Sequence, residues 1–257
     1  MSSRWRRRVL RAWRAAPLAA RLLCGAGAVA ALWLAVNGAY QVARKPAELF
    51  FPVSGALAKT PSETWLHYHR IFSAHATAVI TPTFLAALAQ VEGAGNPVAR
   101  TYWRWQPTWH PFELYRPASS AVGMYQITDA TFREAKRYCI RDNSAVVDGP
   151  WHELRSCWWN GLYTRVVPGH AAEMTSALLH IQVERTLARR RITAATLQQK
   201  QDLAAVIHLC GVREGDAYAR RGFRATARQR CGDHSVRGYL AQVNAMKRVF
   251  ARLAATA

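Results

Sequence analysis

Apolar residues recur at helical spacing through most of the chain after residue 60. In "LAALAQVEGAGNPVAR" (85–100), Leu85, Leu88 and Val91 share one face. In "HAAEMTSALLHIQVERTLARRR" (170–191), Met174, Ala177, Leu178, Ile181 and Leu187 fall mostly on one side. "QKQDLAAVIHLC" (199–210) and "SVRGYLAQVNAMKRVFARLA" (235–254) read as two more helices. Start signals agree with the pattern. Thr60-Pro61 followed by Glu63, and Thr81-Pro82, each place a capping residue before a proline at the first helical position. Asp129 is the expected N-cap of a helix over 129–138. Residues 93–122 are irregular and dense in aromatics and proline, and no segment alternates like a strand. The pattern predicts an almost all-α fold.

The N-terminus follows a different rule. "LLCGAGAVAALWLAV" (22–36) carries no charge, and Arg4, Arg6, Arg7, Arg8, Arg11, Arg14 and Arg21 precede it. Positive charge before an apolar run keeps that end in the cytoplasm. Asn37 to Val42 adds uncharged length for a span, and no small-residue cleavage box lies near Ala39. Residues 1–42 therefore read as a basic cytoplasmic tail and an uncleaved signal anchor, 43–59 as a linker, and 60–257 as the exported domain. The expected location is the inner membrane, single-pass, with the domain in the periplasm. "GAGAVA" fits a dinucleotide fingerprint only nominally, since no strand precedes it.

Charge is uneven along the 257 residues. Residues 1–45 hold nine Arg/Lys and no acid, while 46–257 hold 26 against 15 Asp/Glu. The excess on the exported part suits an anionic partner. Nucleic acid is an unfavoured one, because export and paired cysteines count against it. Apart from Cys24 in the apolar run, the cysteines are Cys139, Cys157, Cys210 and Cys231. Four allow three pairings, and nearest neighbours would close two local loops in an oxidising compartment. No zinc-type spacing is present, so neither metal nor cofactor is expected.

One residue breaks the helix rules. Glu92 ends an apolar helix, where the backbone dipole disfavours negative charge, and "GAG" follows it at once. Glycines let a ligand approach closely. A carboxyl among apolar neighbours at such a place is what a general acid requires. A second segment, "SSAVGMYQITDATF" (119–132), runs small residues and a glycine into Met124-Tyr125-Gln126.

Taken together, Glu92 in "AQVEGAGNPVA" and Gly123 to Gln126 in "SSAVGMYQIT" resemble the lytic transglycosylases with SLT-type, lysozyme-like domains. In that family the catalytic glutamate is followed by a Gly-x-Gly-(Leu/Met)-x-Gln segment lining a sugar cleft. A later Ala-Tyr-Asn-x-Gly stretch corresponds to "VIHLCG" (206–211), with His208 at the tyrosine position, and Tyr239 matches a tyrosine of the last helices. The resemblance covers roughly residues 60–254. Three departures stand out: Gly93 replaces the usual serine, Ala121 the first glycine and His208 the tyrosine. In addition, "TYWRWQPTWHPFELYRP" (101–117) lengthens the path from Glu92 to Gln126. Aromatic faces stack on sugars, so one or two of its rings are expected in the cleft and the rest packed on the domain. Arg104 or Arg116 would meet a substrate carboxylate.

The resemblance implies a lysozyme-like fold and one catalytic carboxyl. Glu92 would protonate the glycosidic oxygen between N-acetylmuramic acid and N-acetylglucosamine, then deprotonate the muramic 6-hydroxyl. That hydroxyl would close a 1,6-anhydro ring without water. Ser120, Gly123, Met124, Tyr125 and Gln126 would bind substrate, with His208 and Tyr239 orienting Glu92 or holding a sugar. The implied partners are peptidoglycan glycan strands and, by extension, an envelope-spanning machine. Two other readings stay open: a muramidase of the same fold that uses water, and a non-catalytic peptidoglycan-binding module.

Overall fold

A computed structural model of the chain describes residues 13–150, 152, 153 and 156–256. The arginines at 4–11 lie outside them. The chain forms two compact units, Met1–Glu48 with Trp103–Ala118, and Leu49–Tyr102 with Ser119–Ala257.

The first unit is built on α1 (Leu18–Arg44), a helix long and apolar enough to cross a membrane. Most of it is unburied. The exceptions are Asn37 and Gln41, which are buried. They are covered by an antiparallel hairpin, β1 (Trp103–Trp105) with β2 (Tyr115–Pro117). The linker expected after the anchor is helical instead. α1 continues to Arg44, and residues 46–57 coil into short helical turns.

The second unit is mostly helical. α2 (Pro61–Ala74) starts on a complete capping box, with the Thr60 hydroxyl accepting from the Glu63 amide and the Glu63 carboxylate accepting from the Thr60 amide. α3 (Pro82–Gly93) starts on Thr81, whose hydroxyl accepts from the Phe84 amide. Every residue from Phe84 to Ala89 is fully buried, so α3 is a core helix and not a surface one. Around it lie α4 (Asp129–Ala135), α5 (Pro168–Arg190), α6 (Leu197–Cys210), α7 (Val212–Arg220) and α8 (Val236–Ala255). α8 and α2 pack directly on α3, and α5 packs on α6 and α7. The cap of α4 is Thr128 and not Asp129; its hydroxyl accepts from the Thr131 amide, and Asp129 takes the first helical position.

Strands are present where the pattern predicted none. β3 (Tyr138–Arg141) pairs with β4 (Ser144–Val147), and β5 (Arg230–Cys231) with β6 (His234–Ser235). Each is too short for alternation to register, and the β3–β4 turn is made by Asp142 and Asn143 in left-handed conformation. The disulfides are Cys139–Cys157 and Cys210–Cys231, the nearest-neighbour pairing. One bond ties β3 to the loop before α5, the other ties the end of α6 to β5.

Two histidines in this unit sit where protonation is unfavourable. His180 lies against the Thr77 hydroxyl, with Nδ1 3.0 Å from Oγ1. His75 has Nδ1 3.8 Å from the Glu173 carboxylate. Burial holds both below the ordinary histidine value of 6.5, against the opposing pull of Glu184 and Glu173 respectively. The unfolded chain therefore binds more protons than the folded one, and stability rises with pH. This contribution is complete above the unfolded value and is lost as pH falls through the lowered folded values. Thermal melts should show a lower midpoint at about pH 5.5 than at about pH 7.5, and His75→Gln with His180→Gln should flatten that slope.

Candidate active site

Glu92 lies in the last turn of α3. The helix stops because Ala94 adopts a left-handed conformation, and the amides of Ala94 and Gly95 donate to the carbonyls of Gln90 and Ala89. The side chain is largely enclosed, with 17% exposure. Tyr239, brought from α8, donates its hydroxyl hydrogen to Glu92 Oε1. His208, in the last turn of α6, holds Nε2 3.7 Å from the same oxygen. Three helices distant in sequence thus converge on one carboxylate. Both of these contacts fall on Oε1. Burial, then the Glu92 charge and hydrogen bond, push the Tyr239 phenol well above 10, so it remains a donor throughout the neutral range.

The second segment is fixed beside Glu92 through backbone. A Cβ on Gly93 would stand 2.8 Å from Met124 Cα and 3.2 Å from Ala99 Cβ. Only glycine lets the 122–127 turn lie this close to the end of α3. The turn closes on itself, with Val122 and Ile127 exchanging both amide hydrogens, and the Gly123 amide donates to Ala99. Gly123 has φ +82, and a Cβ there would meet the Arg165 carbonyl at 2.4 Å. Arg165 clasps the same loop with its guanidinium, donating to the carbonyls of Ser120 and Ile127 and pairing with Asp129 at 2.8 Å.

Gln126 sits at φ 46, an uncommon conformation for a residue with a side chain. Its Nε2 donates to the carbonyls of Ala99 and Gly123, which aims Oε1 away as an acceptor. Gln126 and His208 line one cavity of about 310 Å³ between α4, α5 and α6. Glu92 is not part of its lining and reaches it through His208.

Compared with protein-family models, curated proteins and solved structures, the chain matches none.

The expected site residues divide into two groups. Glu92, Gln126, His208 and Tyr239 are brought together in one unit. Met124 and Tyr125 are not at the cavity; both are fully buried in the core, where the close approach of Gly93 drives Met124. Burial raises the Tyr125 phenol well above its ordinary value. Ser120 serves the fold, its hydroxyl accepting from the Asp129 amide. The rings of the 101–117 insert are also placed differently. Trp105 stacks on Trp33 and Phe112 packs on Tyr40, both of α1. Arg116 is taken by Gln106 and Glu113.

The cavity adds residues that the sequence did not single out. Glu134 stands on its rim, and Gln182 donates to Glu134 Oε1 at 3.0 Å. Thr175 is buried in its wall with no partner for its hydroxyl. Thr131 and Glu134 lie three apart on α4 just after the Gln126 turn, so helical spacing puts them on one face. Among the described residues no cluster of three or more His, Cys, Asp or Glu is arranged to hold a metal.

Gly93→Ser tests the backbone contact directly. The added Cβ and hydroxyl must displace Met124 backbone, so overpacking of about 2 kcal/mol is expected. For a chain of this size that lowers the melting midpoint by about 5 °C. A melt as stable as the parent would show that the turn has room to move.

Proposed function

We propose that the protein is a peptidoglycan lytic transglycosylase of lysozyme-like fold, anchored by α1 in the inner membrane with its second unit in the periplasm. The observation that carries this reading is the Glu92 carboxylate. It is mostly enclosed, accepts from the Tyr239 hydroxyl on Oε1, and has His208 Nε2 3.7 Å from that same oxygen. The resemblance of "AQVEGAGNPVA" and "AVGMYQIT" to that family supplies the substrate class. Two disulfides suit an oxidising compartment.

The chemistry follows from the donor pattern. Tyr239 occupies Oε1, so the catalytic proton belongs on Oε2. From there it passes to the glycosidic oxygen as the bond to the muramic anomeric carbon breaks. The resulting Oε2 anion then takes the proton of the muramic 6-hydroxyl, whose oxygen attacks the anomeric carbon. Glu92 ends as it began, protonated, and the product carries a 1,6-anhydro ring. Gln126 Oε1 accepts from a sugar hydroxyl or amide.

Glu134 favours a second reading. A second carboxylate, lining the cavity that Gln126 and His208 also line, is what a hydrolase needs to activate water. The two readings differ by one water in the product. A non-catalytic binding module is the third outcome.

Purified peptidoglycan digested by the full chain in detergent, and read by mass spectrometry, distinguishes them. Anhydro-ended fragments from the parent and none from Glu92→Gln are expected. Reducing ends lost in Glu134→Gln would make the enzyme a muramidase. Binding without product would leave only the module.

Tyr239→Phe should lower kcat with little change in KM if the phenol acts through Glu92, to which it donates, and should raise KM as well if it holds a sugar. Removing a hydrogen bond to a charged group costs about 1.5–3 kcal/mol, or roughly 10- to 100-fold in rate. Steady-state kinetics on a defined glycan oligomer would check the split.

A further inference from the structure

The 103–118 insert breaks the second unit's sequence and yet folds against α1. Its contacts with that helix are specific. Asn37 Nδ2 donates to the Tyr115 carbonyl at 2.7 Å, and Gln41 Nε2 to the Phe112 carbonyl at 2.6 Å. Arg44 pairs with Glu113 at 2.8 Å. Trp103 Nε1 donates to Glu48 at 2.8 Å. Lower on the helix, Trp105 stacks on Trp33 with centroids 5.9 Å apart. Trp105 and Leu114 close an apolar groove with Ala26, Val29, Ala30 and Trp33.

These levels fix where the hairpin lies if α1 is the span. The apolar run Leu18–Val36, broken only by Arg21, measures about 28 Å at 1.5 Å per residue, close to the hydrocarbon thickness of a bilayer. Trp33 is one turn below its end. Asn37, Gln41 and Arg44 lie above it, and the hairpin partners all three. Trp105 and Leu114 therefore sit at the depth of Ala26 to Trp33, inside the outer leaflet, while Gln106, Glu113 and Arg116 sit with Gln41 and Arg44 at the headgroups.

We infer that the hairpin is a second membrane-embedded element, an aromatic wedge lying along α1 in the outer leaflet, and that its partner is the lipid bilayer. Trp105 remains 65% exposed after stacking, and Trp109 is wholly exposed. Tryptophan and tyrosine are the residues of the membrane interface, and arginine beside them suits anionic headgroups. Arg104 is exposed on the opposite face of β1 from Trp105. The Tyr115 and Phe112 carbonyls accept from Asn37 and Gln41, so these two backbone groups are paired to α1 itself. This inference rests on α1 as the span and not on the catalytic reading.

The test uses the full chain in phospholipid vesicles. Cys24, exposed on α1, is the internal reference. An environment-sensitive fluorophore is attached there, and separately at Trp105→Cys in a Cys24→Ser background. Both labels should be quenched by spin-labelled lipid and shielded from aqueous iodide. A 105 label quenched by iodide and not by lipid overturns the inference, whether or not glycan fragments then shield it. A Cys24 label found in water overturns it as well, because the hairpin is bound to α1. Should Trp105→Cys fail to accumulate, Leu114→Cys reads the same groove by the same criteria.

Discussion

The contact between Gly93 and the backbone of Met124 is the constraint on which the site depends. It joins the end of a core helix to the turn that carries Gln126, with no side chain between them. Backbone against backbone gives little room for adjustment, because interiors are packed to crystal-like density. Within that turn Gly123 has a positive φ, Gln126 lies in the left-handed region, and Met124 and Tyr125 are buried in the core. The serine usual in the resembled family would place two atoms where Met124 lies. Glycine at 93 is thus a packing requirement of this turn.

A carboxylate at a helix C-terminus is opposed by the backbone dipole, at a cost of up to about 1 kcal/mol. Against that, Tyr239 is supplied from α8 as a hydrogen-bond donor, and His208 from α6 stands 3.7 Å from the same oxygen. Their placement depends on structure outside the site. α8 packs along α3 and starts on the Ser235 cap, next to the β5–β6 hairpin. The Cys210–Cys231 bond lies two residues beyond His208 and ties the end of α6 to that same hairpin. Both partners of Glu92 are therefore anchored to one small structure.

Much of this was legible in the sequence where a local rule governs. Thr60 and Thr81 cap as their spacing requires, and the paired cysteines join across short separations. Glu92 stood out because it breaks the dipole rule, and Gln126 because small residues and a glycine lead into it. What the sequence did not disclose is decided by tertiary contact. Met124 and Tyr125 look the same in sequence whether a turn faces a cleft or a core. Arg165 is one arginine among many until its guanidinium meets three groups of one loop. Glu134 becomes notable only when α4 sets it on the rim shared with His208.

The aromatic insert shows how one composition serves two chemistries. Tryptophans beside arginines fit a sugar cleft and a lipid interface equally well, so their types alone decide nothing. The deciding residues lie elsewhere, in Asn37 and Gln41. Two amides in the last turns of an apolar helix need partners, since an unpaired amide away from water costs several kcal/mol. The hairpin supplies a carbonyl to Asn37 Nδ2 and to Gln41 Nε2, while Asn37 Oδ1 is left without a partner. These two bonds set the height of the hairpin on α1, and Trp105 stacks on Trp33 at that height. The polar end of the helix and the aromatic insert are therefore one structural problem with one solution, and neither segment is intelligible without the other.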